Sequence, residues 1–403
     1  MITLTRALIS SYAHIYTNLL IERTNGSVWP PREMPVDETF VPPGGEVLLL
    51  SGGFGHELKR RVNKDNFADI TILNKQRPDL ITQLHVDYMK AGAEGITTNS
   101  YGATRHALAK VGAAEDLEDV IREAGRCAVS AVHEYRQTCE IQDQDLKQNQ
   151  ILPDTTTTTT AVTATPAYRR PRPILVLGSL PPLTESYQTT NVLSWDTMVQ
   201  DYLHLITTLG PHVDTFLAET LSTIDEARAV VAAFARHQEI ILHPMNSTLP
   251  SPSPSSSLWI SFTIQDDGSN QLRSGESLHE ALEVVGARPE LISGLLVNCT
   301  APGAVTRALP VLTKAARHME KASSRGQRRV RVGGYANGFQ ISTQAWLAAQ
   351  ETEGRRVGGT SEVALPDTYY DATGIIRVEK YVEVVGEWVA GGGTVVGGCC
   401  GVS

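Results

Sequence analysis

The chain has no apolar run near the roughly 20 residues that a membrane-spanning helix needs. It also lacks a basic excess. Its 35 Lys and Arg stand against 44 Asp and Glu, a formal charge of −9, which argues against nucleic acid or an anionic membrane as partner. No dinucleotide-binding glycine fingerprint occurs, so a nucleotide domain is not implied. The first 25 residues hold Arg6, Glu22 and Arg23 but no compact apolar core and no small-residue cleavage site. This is not a secretory signal, and the expected location is cytoplasmic, with a weak mitochondrial presequence left open. Cysteine is scarce. The five residues Cys127, Cys139, Cys299, Cys399 and Cys400 are odd in number and spread over a long chain, which is no disulfide framework. In an intracellular protein, clustered cysteines point to metal or catalysis.

What the chain does have is eight short β-rich apolar runs: Val47–Leu50, Gly95–Thr98, Ile174–Leu177, Thr215–Ala218, Leu258–Phe262, Leu295–Val297, Val330–Val332 and Thr394–Val396. Unbroken apolar runs suit parallel strands buried on both faces. Helical stripes lie between them. Leu80, Ile81, Leu84 and Tyr88 form one; Leu117, Val120, Ile121, Ala124, Ala128 and Ala131 form another. Thr223 and Glu226 have the spacing of a capping box ahead of a third helix. Eight strand–helix units predict a single (β/α)₈ TIM barrel over residues 46–403, with an open doubly wound sheet as the alternative. Residues 1–45 read as an N-terminal extension. Low-complexity segments near 153–173, with six consecutive threonines, and near 247–257, rich in Ser and Pro, cannot bury a core and read as surface insertions. A third polar loop covers roughly 351–366.

In such a barrel the working residues gather at the C-terminal strand ends. Ser51-Gly52-Gly53, Thr98-Asn99-Ser100-Tyr101, Gly178-Ser179, Glu219-Thr220, Asn298-Cys299-Thr300, Tyr335-Ala336-Asn337-Gly338 and Gly398-Cys399-Cys400-Gly401 fall there. The double cysteine is the most informative. Adjacent cysteines make a poor disulfide, because their Cα atoms lie about 3.8 Å apart, below the usual range. The flanking glycines free the backbone to aim both sulfurs at one point. With Cys299 from another strand end, they can supply a three-sulfur zinc site with one open position, the arrangement of a catalytic site, where two buried small residues are the alternative. Cys127 and Cys139 fall in or after a predicted helix and take structural roles. Glu219 follows the apolar run Phe216-Leu217-Ala218 at a strand's C-terminal end and is a candidate functional carboxylate.

Several ordered motifs carry a resemblance: Ile96-Thr97-Thr98-Asn99-Ser100-Tyr101, Gly178-Ser179-Leu180-Pro181-Pro182-Leu183, Ala218-Glu219-Thr220, Ser261-Phe262-Thr263, Leu272-Arg273-Ser274-Gly275-Glu276, Asn298-Cys299-Thr300, Tyr335-Ala336-Asn337 and Gly397-Gly398-Cys399-Cys400-Gly401. Together they resemble the homocysteine S-methyltransferase family, in order from about residue 46 to the last. The resemblance implies a TIM barrel in which Cys299, Cys399 and Cys400 bind Zn2+ and the homocysteine sulfur takes the fourth position. It also implies small-molecule substrates: homocysteine as methyl acceptor, and a methyl donor. The Gly-Ser-Leu-Pro-Pro-Leu form points to S-methylmethionine or S-adenosylmethionine as that donor. The substrate-binding set is then Glu219, Ser51, Gly52, Asn298, Tyr101 and Asn337, with Glu219 the candidate for the acceptor's ammonium group, Tyr101 and Asn337 toward the donor, and Asn298 also steadying the Cys299 loop. His56, His85 and His106 are left out of it.

One position departs from the pattern. Relatives have Asp before the double glycine, where this chain has Ser51, so a negative charge near the substrate ammonium is missing. A different thiol acceptor, or a catalytically silent zinc-binding barrel, therefore stands beside methionine formation. The oligomeric state is left open.

Overall fold

The computed structural model describes residues 47–63, 67–149, 173–190, 193–242, 257–323, 329–341 and 365–402. The N-terminal extension, most of the two low-complexity insertions and nearly all of the third loop lie outside them. Eight strands are present: β1 (Leu48–Leu49), β2 (Gly95–Thr97), β3 (Leu175–Leu180), β4 (Thr215–Leu221), β5 (Ser257–Phe262), β6 (Ile292–Asn298), β7 (Arg331–Ala336) and β8 (Val395–Gly398). All neighbouring pairs are parallel, in the order β1-β8-β7-β6-β5-β4-β3-β2. A parallel bridge from Leu50 to Gly95 joins the two edges. There Ser51 N donates to Gly95 O, and Glu94 N to Leu49 O, both at 2.8 Å. The sheet therefore closes, and the open-sheet alternative falls.

Helices cover the outside. They are α1 (Phe54–Val62), α2 (Phe67–Thr71), α3 (Leu73–Gln76), α4 (Pro78–Lys90), α5 (Arg105–Lys110), α6 (Leu117–Asn149), α7 (Trp195–Leu209), α8 (Ile224–Leu242), α9 (Leu278–Gly286), α10 (Pro302–Ala322) and α11 (Val378–Ala390). The two apolar stripes read from sequence lie on α4 and α6, with Ile81, Val120, Ile121, Ala124, Ala128 and Ala131 wholly buried. Cys127 and Cys139 are buried on α6. The capping box forms at α8: Glu226 N donates to Thr223 Oγ1 at 3.1 Å, and Thr223 N to Glu226 Oε2 at 3.2 Å. A second one, unforeseen, joins Ser277 and Glu280 at α9. Among the described residues no helix is long and apolar enough to cross a membrane.

The strands run further than their apolar letters. β3, β4 and β7 continue through Ser179, Glu219 and Tyr335, which the sequence reading put past the strand ends. Ladder hydrogen bonds do not depend on side-chain polarity, so a strand keeps pairing where its inward side chains turn polar. The barrel lumen is filled by Leu48, Leu50, Leu177, Leu217, Trp259, Leu296, Tyr335 and Val395. Trp259 fits because β6 is bare beside it: a Cβ on Gly294 would lie 2.5 Å from Trp259 Cγ. The alternate strand residues, such as Val176, Phe216, Ile260, Leu295 and Val396, pack outward against the helices.

Candidate active site

Side chains along a strand alternate with a period of two, so the residue two beyond a lumen residue also faces the lumen. Leu177, Leu217, Trp259 and Leu296 fill the lumen; Ser179, Glu219, Ser261 and Asn298 are the next on the same face. A polar layer thus sits on top of the apolar one. Glu219 is its hub. Its carboxylate accepts hydrogen bonds from Ser179 Oγ and, at 3.0 Å, from Tyr335 Oη. The second bond crosses the lumen, since β4 and β7 are not neighbours. Part of the Glu219 surface stays accessible, yet burial of the carboxylate raises its pKa above the usual glutamate value, against the lowering pull of both hydroxyls.

Asn298 braces this layer. Its Oδ1 accepts from Thr220 N at 2.9 Å and Ser261 Oγ at 2.6 Å, and its Nδ2 donates to Thr220 Oγ1 at 2.8 Å. Those bonds hold Thr220 at φ 61°, directly after Glu219. Asn298 is wholly buried, so the amide serves β4, β5 and β6 together.

Cys399 continues the inward face of β8 through Val395 and Gly397. Cys299 does not follow its own strand in that way, because Asn298 already takes the inward place on β6. Its backbone sits at φ 50°, a left-handed conformation uncommon outside glycine, and the sulfur turns back into the lumen cluster. The Sγ atoms of Cys299, Cys399 and Cys400 all lie within 4.8 Å of one another. The sulfurs of Cys299 and Cys399 are in contact, with Cα atoms 5.8 Å apart, and Cys400 Sγ lies beside them. Burial pushes the Cys400 thiol up to about 11, with nearby Lys59 pulling it down.

The Ser51-Gly52-Gly53 turn lies against this centre. Gly53 N donates to Val402 O at 2.8 Å, and a Cβ on Gly53 would sit 2.4 Å from Cys399 O, so only glycine allows that approach. Ser51 is buried at the end of β1, and Gly52 is partly exposed. Tyr101 Oη bonds with Ser186 Oγ at 2.7 Å. Tyr187 and Cys400 both pack against the lumen cluster, and Asn337 is buried at the end of β7. Asn99 turns away instead, donating from Nδ2 to Ile70 O and Asn74 Oδ1 at 3.2 and 2.9 Å.

Three residues absent from the predicted set belong to this region. Ser179 and Tyr335 hold Glu219; the period-two spacing from Leu177 was a usable signal for Ser179. Tyr187, at φ 67°, had none. It comes from the loop after β3, and its place against the lumen cluster depends on how that loop folds.

The model of one protein family, described as homocysteine S-methyltransferase, matches residues 48–403. The chain belongs to that family. It is a methyltransferase acting on homocysteine, and the metal-binding character of the family agrees with the three converging sulfurs. A selenocysteine methyltransferase of Astragalus bisulcatus is 23% identical over 380 residues, covering 91% of this chain and 92% of the relative. A betaine-homocysteine S-methyltransferase of Drosophila melanogaster is 24% identical over 377 residues, covering 88% and 90%. The crystal structure of the homocysteine methyltransferase MmuM from Escherichia coli, metallated form, superposes with a TM-score of 0.54 at 20% identity, covering 88% of this chain and 92% of that one. Its oxidized form gives the same score. At that identity the superposition speaks for the fold.

Proposed function

We propose that Cys299, Cys399 and Cys400 hold one Zn2+, and that the chain transfers a methyl group from S-methylmethionine or S-adenosylmethionine to homocysteine, giving methionine. The observation carrying this reading is the convergence of three cysteine sulfurs at the C-terminal mouth of a barrel, above a lumen that also holds Glu219. The donor set fits zinc. Tetrahedral Zn–S bonds of about 2.3 Å place sulfurs roughly 3.8 Å apart. Sulfurs already within 4.8 Å of one another need only small side-chain shifts to reach that separation. Three ligands leave one position for substrate.

Zinc there supplies deprotonation of the acceptor thiol, which at a pKa near 8.5 is only ~3% thiolate at pH 7 when free. The chain's own residues do the rest. Glu219, oriented by Ser179 and Tyr335, takes the acceptor's ammonium group. Ser51 and Gly52 border the same end, and Asn298 keeps β4 and β6 in register. Tyr101 and Asn337 line the donor side. A sulfonium donor already carries a good leaving group, so no general acid is required, and alignment of sulfur, methyl and leaving group provides the remaining rate. Turnover of homocysteine with S-methylmethionine, S-adenosylmethionine and betaine tests the reading. Methionine formed with neither of the first two donors would overturn it.

Ser51 favours a second reading, in which the acceptor is a different thiol. The two separate on the variant Ser51→Asp. Two unit charges ~4 Å apart at an effective dielectric near 20 attract by about 4 kcal/mol, and desolvation consumes much of that. A homocysteine pocket lacking its second carboxylate should therefore bind homocysteine roughly 5–30-fold more tightly in Ser51→Asp, measured by calorimetry. Equal or weaker binding favours the other thiol.

A further inference from the structure

Behind Cys299 lies a buried ion pair that neither substrate nor metal binding has used. Arg273 and Asp266, both from the segment between β5 and α9, have side chains only 4% and 0% exposed, with Arg273 Nη1 3.4 Å from Asp266 Oδ2. A buried pair of this kind is poor value as pure stabilisation, because desolvation rivals the attraction and well-packed apolar residues often do as well. Its other bonds show what it holds. Cys299 O accepts from Thr263 Oγ1 at 3.1 Å and faces Arg273 Nη2 at 3.5 Å. Arg273 Nε in turn donates to Thr263 Oγ1 at 3.3 Å. Asp266 Oδ1 accepts from Thr300 Oγ1 at 2.6 Å and from Ala301 N at 2.7 Å. The pair therefore grips three successive residues, Cys299, Thr300 and Ala301. The first of them carries the left-handed backbone that aims its sulfur inward. A left-handed non-glycine residue is strained and persists only where its surroundings over-determine it. The outer face of the guanidinium is covered by the Tyr187 ring, 5.4 Å from its centroid.

We propose that Arg273, anchored by Asp266, is a positioning residue for the metal centre, fixing the Cys299 peptide in the conformation that brings its sulfur to Cys399 and Cys400. The proposal rests on the zinc reading. It adds an electrostatic role: three thiolates around Zn2+ carry a net charge of −1, and the guanidinium is a fixed counter-charge at the peptide of one ligand. Lysine cannot replace it, since a point charge on a flexible stem lacks the planar fork that spans Asp266, Thr263 and the Cys299 carbonyl.

Arg273→Met alone would strand a buried carboxylate, so the test uses Asp266→Asn with Arg273→Met, and Arg273→Lys separately. Asn keeps an acceptor for Thr300 and Ala301. Zinc affinity of the reduced proteins is measured by competition with a chromophoric chelator. Alkylation of Cys299 relative to Cys400 is measured by mass spectrometry on the reduced, metal-free proteins, with their melting temperatures as a fold check. The double variant should bind zinc roughly 10–100-fold more weakly, the usual effect of losing a partner behind a metal ligand. Its Cys299 should alkylate several-fold faster relative to Cys400, and Arg273→Lys should move the same way. A lower melting temperature with zinc affinity and alkylation ratio unchanged marks a merely structural pair and overturns the proposal. Wild-type protein that takes up no zinc defeats the metal reading, and the alkylation ratio alone then decides the positioning claim.

Discussion

Replacing Cys299, Cys399 or Cys400 by Ser should abolish zinc uptake and cut methyl transfer by on the order of 10³-fold, the largest effect expected in this protein. Losing the coordinated thiolate forfeits up to ~30-fold through thiolate fraction alone. Misplacing the reacting sulfur by about 1 Å costs ~10²-fold more. Zinc per chain by atomic emission, alongside turnover, checks both parts. Cys127→Ser and Cys139→Ser are the controls: buried on α6, they should keep about one zinc per chain. Undiminished zinc in all three cysteine variants would sink the site.

The second large effect is at Glu219. Glu219→Gln should raise the KM for the acceptor by roughly 10–150-fold while leaving zinc in place, matching the 1.5–3 kcal/mol of a lost charge-assisted hydrogen bond. A pH profile gives an independent reading. Burial raises the Glu219 pKa, so its carboxylate takes up a proton at a higher pH than an ordinary glutamate does. Above that pKa the ionised group holds an ammonium; below it the grip is lost. Acceptor KM in the wild type should therefore climb as pH falls through a window lying above the usual glutamate range. The climb should be missing in Glu219→Gln. An acceptor KM that is the same in both proteins at every pH would return Glu219 to the role of a buried structural carboxylate. Tyr335→Phe should reproduce part of the KM effect, since its hydroxyl orients the carboxylate from across the lumen.

How much of this was legible beforehand depends on the range over which each feature is specified. The eight strands and the apolar stripes of α4 and α6 are local patterns, written in runs of a few residues, and they reappear in the fold at nearly the same places. The three cysteines were legible for the same reason: their residue type and their place at strand ends are both properties of short segments. Strand ends were less so. Ser179, Glu219 and Tyr335 look like loop residues to a reading based on apolarity, yet they lie within their strands, because backbone pairing tolerates a polar residue facing the lumen.

By itself, then, the sequence determined the strand–helix alternation, the thiols and carboxylate at the strand ends, and the Ser51 departure, all set by local composition and period. Tertiary structure alone decided which of these meet. Closure through Leu50 and Gly95 turns eight strands into one lumen and brings the Tyr335 hydroxyl of β7 to the Glu219 carboxylate of β4, 116 residues apart in the chain. It likewise brings Cys299 beside Cys399 across 100 residues. It also decided that Cys299 faces inward. Strand alternation from Asn298 points the other way, and the left-handed turn that reverses it is held by Thr263, Asp266 and Arg273, whose grip depends on contacts more than 25 residues away in sequence. No local pattern encodes such a contact, because its free energy exists only once the chain has closed around it.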